Sequence, residues 1–586
     1  MKTYLEELYK TTNYVKKDDN EYILNSKYRI GKIKILNSYA ILESIDNKSY
    51  KINIDLDKLN GAYDKDIVLV QILFNPKGKI KAKVINTLQK ATHTILCYIK
   101  DKKIFSFKEN IFLDNLKDSN IIEKDIILYD NNTIIKHIGN IKDSSIDELI
   151  SLYLYNQEYR ANDHKTDKNF IPNSSSRVDL TDLDFCTIDP KNAKDFDDAI
   201  YFDKENSTLF VAIADVSAYI QEGSTLDIEA KKRAFSIYLP HKVIPMLPFE
   251  LSNNLCSLVP DEPRLAYVFK IKLDLKNISV ISSELFEATI ISKHRYTYGE
   301  IDKILGKKED QYFRDIFEFT KKFKNKRIKT GYDFRSNEIR QVLTKDQNLD
   351  YTFIEYPTAS HSLIEECMLL ANCEAAKKLK QIGIFRVHNE PSQAAIVKLI
   401  DEVKALGIKA KLKANIHDTI EQIQKKARNL GIGDEVDELI IQSQQQAQYS
   451  SIKKQHFGLG FDNYSHFTSP IRRYADLVLH RILKTGKIPK DIEDICQNIS
   501  DTQRVIDSLV WDFEDRKYSR WAQENIGKIF KAKIVDKDNG IAKIEDKITG
   551  ARVICENYAG EKLFSDIKVT IKDTNIIMKK IIVTIL

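Results

Sequence analysis

The chain has 586 residues, is 42% hydrophobic and 30% charged, and carries a formal net charge of +6. That length exceeds one ordinary core and implies three or more domains, and the composition excludes a disordered protein. The mild positive charge permits a nucleic-acid partner without requiring one. No apolar run reaches the length of a membrane span, so no membrane partner is expected. MKTYLEELYK lacks the apolar stretch of a signal peptide, and seven cysteines are scattered singly without a CxxC. Both features point to a cytoplasmic protein with reduced thiols, not to a disulfide frame or a zinc site.

Residues 1–20 read as a short charged helix. From 21 to 88, short β-prone runs (YRIGKIKIL, YAILESI, YKINIDL, IVLVQILF, KIKAKVI) are divided by Gly, Asn, Asp and Pro-Lys-Gly, the pattern of a small barrel. Residues 89–162 repeat it with ATHTILCYI, KIFSF, IIEKDIILYD and TIIKHIG, so two barrels are expected in tandem. Cations alternate with aromatics there (Tyr28, Arg29, Lys32, Lys34, Tyr39; Lys103, Phe105, Phe107, Lys108). Such strands suit single-stranded nucleic acid, and equally an ordinary solvated strand face. Residues 163–177 are polar and read as a linker. Residues 178–525 mix strands and helices. LFVAIADVSAYI predicts a buried strand, TLDIEAKKRAFSIYL a helix running into the next element, and HSLIEECMLLANCEAAKKLKQIG and QAAIVKLIDEVKALG two helices, the second stopped at Gly407. TIEQIQKKARNLG, VDELIIQSQQQAQYS and 490–525 are helical, and alternating strands at 526–586 form a third barrel. The fold class is multidomain α+β, a mixed central domain flanked by barrels.

Three stretches carry chemistry. TIDPKNAKDFDDAI places Asp189, Asp195, Asp197 and Asp198 within ten positions beside apolar residues. Crowded carboxylates are costly without a cation, and an oxygen-only donor set suits a hard ion such as Mg²⁺. The spacing is not that of an EF-hand, and a solvated acidic loop is the competing explanation. HFTSPIRRYADLVLHR packs Arg472, Arg473 and Arg481 around a helix expected to start at Ser469 as N-cap and Pro470 at the first helical position, a natural phosphate site. Two adjacent arginines cannot face one way, so one is expected at phosphate and the other in the fold. SIYLPHKVIPMLPFELSNNLCSL reads as a rigid, non-helical strap whose Tyr238 either stacks on a base or serves the core.

Taken together and in this order, these stretches, with SLIEECMLLANCEAA and FRVHNEPS, resemble the ribonuclease II and ribonuclease R family of 3′→5′ exoribonucleases, most closely the bacterial ribonuclease R type. The resemblance covers 178–485 strongly and the barrels by arrangement. It implies a catalytic RNB domain with two cold-shock-type OB-folds before it and an S1-type OB-fold after it. It implies processive, Mg²⁺-dependent hydrolysis of single-stranded RNA 3′ ends, through two metal ions, to nucleoside 5′-monophosphates and a short end oligonucleotide, in RNA decay and quality control, by a monomer. Position by position, Asp189, Asp195, Asp197 and Asp198 match the metal ligands, and Asp197, Asp198 and Arg472 the catalytic set. Tyr238 matches the tyrosine that stacks on the terminal base, Tyr298 one near the ribose, and Glu365 or Glu366 the reader of the 2′-hydroxyl. Arg386 and His388 of FRVHNEPS join the expected RNA-binding set. Ala218 departs from the His often found in the family. The short segment before the first barrel and the end at IIVTIL, without a Lys-rich tail, put unwinding of structured RNA in question. A silent RNA-binding scaffold would be free to lose the quartet and Arg472, and a small-molecule phosphatase would not need three barrels.

Overall fold

The computed structural model describes residues 2–18, 21–35, 39–45, 51–62, 65–73, 81–89, 94–130, 133–161, 172, 176–307, 311–332 and 338–586. They fall into two compact units, Met1–Asn140 and Ile141–Leu586.

The first unit opens with helix α1 (Lys2–Thr11) and a hairpin, Val15–Asp18 with Glu21–Leu24. A closed barrel follows, with strands Tyr28–Ile35, Ala40–Ser44, Lys51–Ile54, Lys81–Gln89 and Ile67–Leu73 in order around the ring. Alternation sends Ile33, Leu42, Ile52, Val68, Val70 and Val84 inward. Five further strands form a sheet in the order Phe112–Asn115, Lys103–Ser106, Ile95–Lys100, Asp125–Asp130, Thr133–Asn140.

The second barrel was expected to run to residue 162, but the strands of this sheet end at Asn140. Beyond it the chain is helical, with a short turn at Ser144–Ile146, α2 (Asp147–Leu154) and a turn at Glu158–Ala161, and it belongs to the second unit. The expected linker at 163–177 lies mostly outside the described residues. The reason for the helical switch is electrostatic. Asp147 is fully buried and accepts from Arg520 Nε and Nη2, both at 2.7 Å, with Lys517 Nζ 3.0 Å away. Ser151 donates to Asp512 at 2.7 Å, which also receives Arg516 and Lys579 at 2.5 Å each. Buried charges persist only when paired in this way.

The second unit is built on a mixed sheet: β1 (Val178–Asp179), β2 (Phe185–Asp189), β3 (Asp198–Asp203), β4 (Thr208–Ala214), β5 (Pro263–Asp274) and β6 (Ser279–Thr297). Its order is β1-β6-β2-β3-β4-β5, and β5 also pairs with β6. β6 runs antiparallel to β5 as far as Ile291, then parallel to β2 from Ser292 to Thr297. The β4 run TLFVAIA is buried at every position, as its apolar sequence requires. The helices are α3 (Thr225–Arg233), α4 (Tyr298–Gly306), α5 (Gln311–Arg327), α6 (Ala359–Lys378), α7 (Gln393–Ala405), α8 (Ile416–Asn429), α9 (Gly433–Ser443), α10 (Tyr474–Thr485) and α11 (Ile492–Gln523). Gly407, at φ +84°, terminates α7 where the sequence placed a stop. Leu363, Cys367 and Ala371 of α6 and Leu477, Leu479 and Ile482 of α10 join the sheet in one core. A second closed barrel, Ile529–Asp536, Ile541–Glu545, Thr549–Cys555, Lys580–Ile585 and Asp566–Asn575, ends the chain. Among the described residues no helix is long and apolar enough to cross a membrane.

Candidate active site

The sheet brings three strand ends to one place. Asp189 closes β2 and pairs in register with Thr297 at the end of β6, while Asp198 opens β3 opposite Ile213. The loop between β2 and β3, which carries Asp195 and Asp197, is held from several sides. Arg295 Nη2 donates to the carbonyls of Pro190 and Lys191 at 2.7 Å, and its guanidinium lies over the Phe196 ring. Phe196 N–H donates to Ser257 Oγ, Ser257 Oγ donates to Lys194 O, and Ala214 N–H donates to Asp197 O. A loop pinned by this many backbone bonds can keep like charges together.

The carboxylates are short of positive charge. Asp197 is 4% exposed; its Oδ1 accepts from the Ile471 amide at 2.8 Å, and Arg472 Nε lies 3.6 Å from Oδ2. Asp189 Oδ2 and Asp197 Oδ2 are buried without a hydrogen-bond donor. Burial, reinforced by the charge of Asp198, pushes the Asp189 carboxyl up to about 8. Burial pushes Asp198 up to about 6 against the pull of Arg472 and Arg473, and it holds Asp197 well above the usual carboxylate range. The four carboxylates offer oxygen donors only, two of them buried and unsatisfied, which is the donor chemistry of a hard divalent cation; among the described residues, however, the group whose ligand atoms all lie within 4.8 Å of one another is His417, Asp418 and Glu421, not this quartet.

These shifts set a pH dependence. A carboxyl whose folded value lies above its unfolded one contributes stability below about pH 4 and loses it as pH rises through about 6 to 8. A cation held by these carboxylates would remove that loss. The rise in thermal midpoint on replacing EDTA with millimolar Mg²⁺ should therefore be small near about pH 5 and grow through about pH 8. A rise that does not change with pH would contradict this.

The two arginines divide as the sequence required. Arg473 is bound to Asp476 through Nε at 2.9 Å and Nη2 at 2.7 Å, while the Arg472 side chain is 43% exposed beside Asp197. The helix expected to start at Ser469 and Pro470 begins instead at Tyr474. The preceding amides are committed elsewhere: Ser469 N–H donates to Asp476 and Ile471 N–H to Asp197. The strap at 236–258 is also only partly as expected, since it holds a hairpin, Ile237–Leu239 with Lys242–Ile244, and then a π-helical turn at Leu251–Leu255. Tyr238 lies on that hairpin, 42% exposed, and donates to Asp195 Oδ2 at 2.8 Å.

Tyr298 follows Thr297 directly and stacks on His361 of α6. Of the paired glutamates, Glu366 is buried in an ion pair with Arg327 at 2.5 Å, whereas Glu365 is exposed. Arg386 and His388 lie apart from the cluster. Arg386 donates to Gln503 and covers the Tyr449 ring. Both ring nitrogens of His388 are used by backbone groups, Nδ1 accepting from Gly458 N–H and Nε2 donating to Gln445 O. Both polar atoms of the His388 ring are thus taken up in bracing the backbone. Sequence reasoning missed Arg295, Ser257, the Ile471 amide and His361. Arg295 carried a signal, a cation alternating with the apolar residues of a strand next to Tyr298; Ser257 carried none.

Residues 177–487 match the RNB domain family model. Ribonuclease R of Helicobacter pylori (strain ATCC 700392 / 26695) is 32% identical over 616 aligned positions, spanning 97% of this chain and 93% of that one. A solved structure, Mycoplasma genitalium RNase R in complex with ribose methylated single-stranded RNA, is similar with a TM-score of 0.77 at 25% identity, covering 95% of this chain and 100% of that chain. Yeast Ssd1, a pseudonuclease, shares the fold with a TM-score of 0.64 at 16% identity, covering 90% of this chain and 79% of its own. With the RNB model matching more than half of its length and a ribonuclease R aligned almost end to end, the chain belongs to the RNB-domain family of ribonucleases.

Proposed function

We propose that the chain degrades RNA as a 3′→5′ exoribonuclease, hydrolysing phosphodiesters in succession to release nucleoside 5′-monophosphates and leave a short end oligonucleotide. The observation that carries this reading is the cluster of Asp189, Asp195, Asp197 and Asp198, with buried orphan oxygens on Asp189 and Asp197 and raised carboxyls at Asp189, Asp197 and Asp198. A scaffold that only bound RNA would have no reason to bear that electrostatic cost. The carboxylates would hold a divalent cation, which we take to be Mg²⁺ and to number two; when bound, it supplies positive charge at the phosphate under attack.

The chain's own groups do the rest. Arg472, half-exposed beside Asp197, offers a guanidinium to the phosphate as charge moves to the leaving 3′-oxygen. Burial and the charge of Asp195 keep the Tyr238 hydroxyl protonated, so it holds Asp195 while the exposed ring offers a face to the terminal base. We assign Tyr298 and the exposed Glu365 to the ribose, where a contact to the 2′-hydroxyl would favour RNA over DNA. We read the two barrels and the five-stranded sheet as OB-folds, cold-shock type before the catalytic domain and S1 type after it. In the sheet, Tyr98 stacks on Phe105 at 5.5 Å, Phe105 meets Phe112 at 6.0 Å and Lys103 covers Phe112, an arrangement suited to single-stranded RNA of any sequence.

The test uses 5′-labelled single-stranded RNA with Mg²⁺ or EDTA, resolved on a sequencing gel. The expected result is Mg²⁺-dependent trimming from the 3′ end to a product of a few nucleotides. Binding without shortening would make the chain a silent scaffold. In the same assay Tyr238→Ala should lengthen the final product while degradation continues; an unchanged ladder would leave Tyr238 as a support for Asp195 alone.

A further inference from the structure

We propose that His361 is a positioning residue: its imidazole fixes the Tyr298 ring and so sets how the enzyme engages the 3′-terminal nucleoside. This rests on the exoribonuclease reading. The two rings lie 3.8 Å apart between centroids at 21°, the tightest ring pair among the described residues. Tyr298 is the first residue of α4, one position beyond the residue paired with Asp189, and it feels the charges of Asp198 and Asp189. It stands at the carboxylates by backbone register. The direction of its ring is set by its neighbour.

His361 is itself held. It occupies the third position of α6, where a capping box ordinarily uses Glu or Gln. Thr358 N–H donates to His361 Nδ1 at 3.3 Å, and Thr358 Oγ1 lies 2.7 Å from the same atom. A backbone amide can only donate, so Nδ1 is the acceptor and the ring proton is on Nε2. The start of α6 is tied to the middle of α4 as well, Ser360 N–H donating to Asp302 Oδ1 at 3.0 Å. The imidazole therefore covers one face of Tyr298, a partly buried ring that also packs against the edge of the core. Glu365 stands one turn further along α6 on the His361 side of the helix.

Two substitutions separate the ring from the cap. His361→Gln keeps an acceptor at the capping position and removes the ring; His361→Phe keeps a ring and removes the acceptor. The readouts are kcat and KM on single-stranded RNA ending in a ribose and on the same RNA ending in a 2′-deoxynucleotide, with the thermal midpoint of each variant. His361→Gln should unfold near the wild-type midpoint yet lose roughly two- to twelve-fold in kcat/KM, the equivalent of one aromatic pair, with a smaller preference for the ribose end. His361→Phe should recover most of that loss at a lower midpoint. A His361→Gln enzyme with wild-type kcat/KM and end preference would overturn the inference, as would losses in both variants that merely follow their midpoints. Failure of the wild type to shorten either RNA would instead strike the exoribonuclease reading.

Discussion

Asp197→Asn is expected to lower hydrolysis by roughly 10³-fold or more while leaving the fold and RNA affinity largely intact. The amide oxygen of Asn can still accept from Ile471 N–H, so the turn before α10 stays in place. What is lost is the charge. The buried Oδ2 has no donor in the wild-type protein and faces Arg472 at 3.6 Å. An amide nitrogen there would bring a second donor towards the guanidinium and remove an anionic ligand for a cation. Single-turnover cleavage of labelled RNA, paired with filter binding in EDTA, measures both quantities. Near-normal cleavage by the Asn variant would remove Asp197 from the site.

The largest effect on stability is expected at a residue far from the chemistry. Asp147→Ala would leave Lys517 and Arg520 buried beside Arg516 without their shared carboxylate. Breaking a buried pair by removing one partner costs about 3–5 kcal/mol, because the remaining charge cannot reach water. The exposed pair Asp501–Arg504 provides the control, since its removal should cost less than about 1 kcal/mol and depend on salt. Urea unfolding of both variants, followed by α11 helicity, makes the comparison. Equal midpoints would mean that α2 is not anchored by charge.

Much of this molecule is legible before any coordinates are known, for identifiable reasons. The aspartate cluster announces itself because four like charges beside an apolar run conflict with burial. Helices α6 and α7 follow from apolar spacing alone. That Glu366 rather than Glu365 is buried was also within reach, because the apolar face of α6 at Leu363, Cys367 and Ala371 takes Glu366 inside. The misread features depend on partners distant in the chain. Ser469-Pro470 is a sound local helix start, yet the amide two positions later is claimed by Asp197, 274 residues away. The helical fate of 147–154 is decided by Arg520, 373 residues on. Local propensity reports what a segment can do; a buried charge elsewhere decides what it does.

β6 is a single strand of 19 residues that takes its register from β5 in its first part and delivers Thr297 to Asp189 in its last. It therefore works as a ruler. One residue inserted within it would carry Tyr298 about 3.3 Å past the carboxylates and turn every later side chain to the opposite face. The turn that precedes it, where Ile278 already adopts a positive φ and Lys326 reaches over to two carbonyls, lies outside that measured span. Length can vary at this turn without reaching the site, whereas within 279–297 a single residue is a change of active site.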